Sequence, residues 1–342
     1  MNYNSFNKII YIIYIIYMSW FDYILEHPRT NQANTWNYYE LSANPNVTWE
    51  DVVAHPDKPW DYNSLSGNPN ITWDIVEANP DKPWNYSGLS QNPNITWDIV
   101  ATNPDKEWDY NSLSGNPNIT WDIVAANPDK PWDYRWLSQN PNITWDIVTS
   151  NPDKQWNFSE GLSQNPNITW DIVAANPDKP WNYDLLSKNP NITWDIVNTN
   201  PDKEWNYDEL SQNPNITWDI VAANSDKPWN FNEGLSKNPN ITWDIVEANP
   251  DKNWDFWLLS SNPNITWDIV DENPAEPWYY DELSGNAMKK DPFFNRNPAQ
   301  ILKGGKRRRR TTKRKSRTTK RRRTNKRKTT TKQKRMTKRT RK

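Results

Sequence analysis

The sequence of 342 residues contains no cysteine, two histidines and eight glycines. Without thiols it can build neither a disulfide framework, nor a thiolate metal site, nor a cysteine nucleophile. The histidines, His27 and His55, each precede a proline within a turn-like "HP" and stand in for asparagine there. They form no imidazole cluster. The few glycines make no phosphate-cradling loop. Long apolar runs are also missing. The longest, "IIYIIYIIY" at 9–17, is about half of the ~20 residues a membrane span requires. It is followed by Met18-Ser19-Trp20, a poor small-residue cleavage site. The reading we prefer for residues 1–17 is a translated upstream extension, with Met18 as the working start. A signal or anchor and an ordered extension are the alternatives. No membrane association is expected.

One further absence is local. Residues 303–342 contain no acid and 24 Lys and Arg, leaving 17 basic and all 42 acidic residues in 1–302. The near-neutral total of −1 therefore hides a body of −25 and a tail of +24. The tail is almost devoid of apolar side chains and cannot bury a core, so disorder is expected. Gly304-Gly305 gives a flexible joint. A basic tail of this density implies electrostatic contact with DNA or RNA. The candidate contacts are Lys306, Arg307, Arg308, Arg309, Arg310, Lys313, Arg314, Lys315, Arg321, Arg322, Arg323, Lys326, Arg327 and Lys328. No aromatics are interleaved for base stacking, so sequence specificity is not expected. "KRRRR" and "KRRRTNKRK" also fit nuclear-import patterns. Charge matching further allows the tail to associate with the acidic body, within or between molecules.

What is abundant is tryptophan, with 24, and proline, with 28. One series runs Trp49, Trp73, Trp97 and onward to Trp267; a second runs Trp36, Trp60, Trp84 and onward to Trp278. The step is 24, or 25 where "FSEG" and "FNEG" add a residue. Trp20 is a degenerate earlier member, and only Trp136 and Trp257 fall out of register. "NPNITWDIVAANPDKPW" appears unchanged at Asn116–Trp132 and Asn165–Trp181. Each unit has two similar halves, N-P-N-I-T-W-D-I-V-x-x and N-P-D-K-P-W-N-Y-x-x-L-S-x. Ten full units span 44–285, preceded by N-terminal capping half-repeats at 18–43. "NAMKKDPFFNRNPAQIL" at 286–302 reads as a C-terminal cap and linker, with Phe293 and Phe294 covering the last unit.

Asn-Pro should end each helix, since proline lacks an N–H and drives its predecessor out of the α region. Thr72 is placed to cap a helix starting at Trp73, with Asp74 favoured in its first turn. In the second half, Pro83 can open a helix. Tyr86 and Leu89 then share a face. Helices of about two turns are marginal alone and must stack on their neighbours. The expected fold is an all-α solenoid of short helix pairs, α or 3-10. Ten units ~10 Å apart would make a rod or superhelix of roughly 100 Å.

The phrase "LSxNPNITWDIVxxNPDKPWNY", over residues 19–285, resembles tandem Trp-rich repeats in proteins of giant nucleocytoplasmic large DNA viruses. The tail "KGGKRRRRTTKRK" is similar to basic C-termini common among them. That resemblance implies an origin but no activity. It implies an intracellular place in an infected host cell, nuclear or cytoplasmic, and also the virion. More remotely, the 24-residue length and "LSxNPN" resemble the variant leucine-rich repeat, which implies alternating short α and 3-10 helices in a superhelix.

Each repeated residue has two readings. The tryptophans could stack bases or sugars; core pegs are preferred, since burying 150–250 Å² yields on the order of 4–6 kcal/mol gross. "NIT" is a formal glycosylation sequon, but a turn asparagine and a capping threonine explain it. Asn68, Asn92 and Asn116 recur before proline and could form a hydrogen-bonded ladder. Asp74 and Asp81 recur as helix and turn residues, identically along the chain, whereas an active site needs one distinct constellation. No enzyme and no cofactor is expected. The variable positions are polar except Arg135-Trp136 and Trp257-Leu258, which are the candidate protein-binding residues. The partner they would take is unknown.

Overall fold

A computed structural model describes residues 18–25, 36–291 and 293. Residues 19–291 form one compact unit, and Met18 and Phe293 fall outside it. The tail, Phe294, His27 and residues 1–17 lie outside the described residues.

Among the described residues there are twenty α-helices, two 3-10 helices and no strand. The first half of a unit gives a six-residue helix such as Trp73–Ala78. Its N-cap, Thr72, is extended (φ −99°, ψ 165°). The hydroxyl is used as a cap by Thr48, Thr144, Thr193, Thr217 and Thr266. Asp51 completes a capping box with Thr48. The next helix, Tyr86–Gln91, starts three residues later than the Pro83 expectation. Asn85 wins the cap by accepting from the Gly88 N–H at 2.9 Å. Pro83 instead sits at the centre of a three-residue turn, where the Trp84 N–H bonds to the Lys82 carbonyl at 2.8 Å. Proline's fixed φ suits that turn.

The buried apolar set of a unit is one Ile (Val47 in the first), one Val and one Leu, such as Ile71, Val76 and Leu89, each at most 3% exposed. Most tryptophans are half-buried plates between units and not core pegs. Trp73 lies against Trp108 of the next unit at 5.6 Å, tilted by 44°. Tyr86 meets the same Trp108 edge-on at 5.3 Å. From Trp60 onward each second-series indole is pinned by its N–H, as Trp84 is to the Asn79 carbonyl at 2.9 Å.

Two buried polar side chains couple the units. Ser66 donates to the Tyr62 carbonyl and accepts the Asn85 N–H of the next unit. Asn68 donates through one amide nitrogen to the Ser42 and Asn44 carbonyls of the preceding unit, both at 2.9 Å. Its oxygen accepts the Asn70 N–H. The expected asparagine ladder is therefore present. It repeats at Asn92, Asn116, Asn140, Asn165, Asn189, Asn213, Asn238, Asn262 and Asn286.

The ladder has no free end. Asn44, its first member, donates to the Ser284 and Asn286 carbonyls at 2.8 and 3.2 Å. Ser284 accepts the Asn37 N–H, as Ser66 accepts that of Asn85. Trp36 packs on Trp267 at 5.7 Å. Asn46 reaches the Ala287 carbonyl at 2.7 Å. The Tyr280–Gly285 helix packs on Tyr38–Ala43 as every other second-half helix packs on its neighbour. The stack of helix pairs is present as expected, but it does not run out into a rod or superhelix of roughly 100 Å: the eleventh pair closes onto the first. Neighbouring second-half helices pack closely, while neighbouring first-half helices are held further apart. The second-half helices thus lie on the tighter curve.

The two 25-residue units differ locally. Their extra residue turns the second helix into 3-10 segments, Leu162–Gln164 and Leu235–Lys237. Beyond them, only Phe293 has 3-10 geometry among the described residues. Gly161 and Gly234 are required there, because an added Cβ would lie 2.3 Å from the Cβ of Ser138 or Ser211.

Candidate functional site: the variable helix faces

The sequon asparagines are committed to structure. The Asn94 amide nitrogen donates to both the Pro69 and Ile71 carbonyls, at 2.7 and 3.0 Å, and its equivalents do the same. A glycan would replace one of those two hydrogens.

The repeated carboxylates stay apart from one another. Asp81 is exposed and pairs with its neighbour Lys82 at 3.2 Å, as do Asp105 with Lys106 and Asp129 with Lys130. Asp74 is exposed in its helix's first turn. His55 bonds Asp22 at 2.9 Å and packs edge-on against Phe21 at 5.1 Å. Open grooves of about 250 to 390 Å³ recur between units; one is lined by Trp73, Pro80, Pro83, Trp84 and Lys106. They recur at equivalent places with similar linings and gather no distinct set of reactive groups. Among the described residues no three His, Asp or Glu side chains are placed to hold a metal. No described helix is long and apolar enough to cross a membrane.

Units differ at the last two residues of the first-half helices, which stay small or polar, and, more widely, at the second and third residues of each second-half helix. The second-half positions line the close-packed side of the ring. Trp136 is 42% exposed and lies over Gly115 of the preceding unit. Arg135 reaches forward to Glu160 at 2.9 Å, with both side chains more than half exposed, which contributes little to stability. Trp257 is 47% exposed, whereas Leu258 is 4% exposed and belongs to the core. Trp136 and Trp257 are also one register apart: Trp257 matches Arg135, and Leu258 matches Trp136. They do not form one surface. The tail residues from Lys306 to Lys328 lie outside the described residues.

Sequence reasoning passed over Tyr39, 59% exposed, and Tyr279, 49% exposed. Tyr279 takes the cap position that is Asp or Asn in the other full units. That break in pattern was visible in the sequence. Glu282 is held above the usual carboxylate range, first by partial burial, then by the charges of Glu40 and Asp281; a hydrogen bond from Trp257 opposes this.

Comparison with protein-family models, with curated proteins and with solved structures returned no match.

Proposed function

We propose that the protein is a non-enzymatic scaffold or adaptor. Its ring presents helix faces to protein, and its basic tail binds nucleic acid without sequence preference. The observation carrying this reading is the division of labour along the chain. Ten near-identical units spend their invariant residues on packing and closure, leaving only short variable faces free. A segment of +24 charge follows. The resemblance to Trp-rich repeats of large DNA viruses supports a role inside an infected cell.

The test is binding to random duplex DNA across a salt series, with and without residues 303–342. If about 8 cations contact phosphates, log K falls against log salt with a slope near −7. Truncation should abolish that binding. Unchanged binding after truncation would defeat the reading. Loss of nuclear entry without any DNA affinity would favour the alternative, a host-protein interaction module whose "KRRRR" and "KRRRTNKRK" serve only import.

A further inference from the structure

Of the five large apolar side chains that stand exposed among the described residues, three belong to adjacent units at the closure: Trp257, Tyr279 and Tyr39. Trp257 and Tyr279 fill the pair of positions that hydrogen bond elsewhere, as Asn206 does to Asp184 and Asn230 to Asp208. Replacing that polar pair with two rings leaves an apolar face that no other unit has. Carboxylates interleave with it. Asp281 is exposed, Glu282 is half-buried near Trp257, whose indole lowers its pKa, and Glu40 lies over Gly285. The three helices involved read FWLLSS, YDELSG and YYELSA, with no lysine or arginine. Their fifth and sixth positions are small, so nothing on the helices overhangs the face. In the three units that follow around the ring the same positions are neutral: Asn63-Ser64, Ser87-Gly88 and Asn111-Ser112.

We propose that this face, assembled from both ends of the repeat array by ring closure, is a docking site for an extended arginine-rich peptide of a partner protein. Aromatic rings set among uncompensated carboxylates match a guanidinium in two ways. The planar cation stacks on Trp257 or Tyr39, and its fork pairs with Glu40, Asp281 or Glu282. Lysine offers only a point charge and would bind more weakly. The assignment rests on the scaffold reading and gives its protein-contacting half a chemical class.

The test is fluorescence anisotropy of a labelled nona-arginine peptide with the full chain at near-physiological salt. The variants copy residues that other units already carry at the same position, so the fold tolerates them. Trp257→Asn with Tyr39→Asn, and separately Glu40→Ser with Glu282→Ser, should each weaken binding about tenfold. Trp136→Ser, equally exposed on another arc, should leave it unchanged, and nona-lysine should bind less tightly than nona-arginine. Affinity within about twofold of the parent in both double variants would overturn the proposal, as would an equal loss in Trp136→Ser. A chain ending at Leu302 that binds the peptide more than about tenfold tighter would make the chain's own tail the occupant, and so overturn the assignment to a partner. None of these outcomes bears on whether the tail binds DNA, so the two readings fail separately.

Discussion

At the scale of single residues, the molecule is held by small polar side chains as much as by its tryptophans. Trp121 is half-buried against Trp156 at 5.5 Å. Trp121→Ala should therefore cost about 2–3 kcal/mol, below the range for a fully buried ring. Leu113→Ala, at a site with no exposure, should cost about 3–5 kcal/mol. Urea unfolding of both variants checks the order. Asn116→Leu would strip donors from the Ser90 and Asn92 carbonyls and should cost about 3 kcal/mol or more despite keeping the volume. Glu282 carries a sign that can be tested with pH. Its carboxyl is raised in the folded state, so its contribution is fully present below the ordinary carboxylate value. It is lost as pH climbs through the raised one. Glu282→Gln should therefore melt higher than the parent at neutral pH, and the gap should close on acidification.

At the scale of elements, the sequence was legible where local chemistry decides. The Asn-Pro stops, the Thr caps and the ladder asparagines could all be read, because turns and caps depend on residues within a few positions. The second-half helix start was misplaced because Pro83 and Asn85 both offer a start signal. The side-chain cap of Asn85 prevails, while proline is used in the turn before it. Ile71 and Ser66 were overlooked as packing residues, since they recur in every unit but their partners lie in a neighbouring one and leave no helical spacing within the unit. The 25-residue units add a prediction. Gly161→Ala should cost about 1–3 kcal/mol, because its Cβ would collide with Ser138. Deleting Gly161 altogether leaves Phe-Ser-Glu-Leu, the pattern of the 24-residue units. That deletion should be tolerated and should raise the circular-dichroism signal at 222 nm, whereas the substitution should not.

At the scale of the whole ring, closure was not legible at all. A 24-residue period fixes what a unit is, but not how far each unit turns relative to the last. That turn depends on the difference between close packing of the second-half helices and wider spacing of the first-half helices, where the tryptophans stand as spacers. Closure removes the exposed end faces that an open solenoid must cap. It also brings Glu40, Glu282 and Trp257 into one neighbourhood, so the proposed docking face exists only if the ring is shut. Closure is therefore the claim on which the most depends, and the absence of native cysteine makes it directly measurable. A Cβ on residue 285 would lie 3.6 Å from that of Glu40, within the range a disulfide spans. The double variant Glu40→Cys, Gly285→Cys, oxidised at low concentration, should form an intramolecular disulfide in nearly every monomer. It would be seen as a faster band on a non-reducing gel and as the loss of both free thiols. Free thiols that persist under oxidation, or cross-links that form only between molecules, would contradict the closed ring.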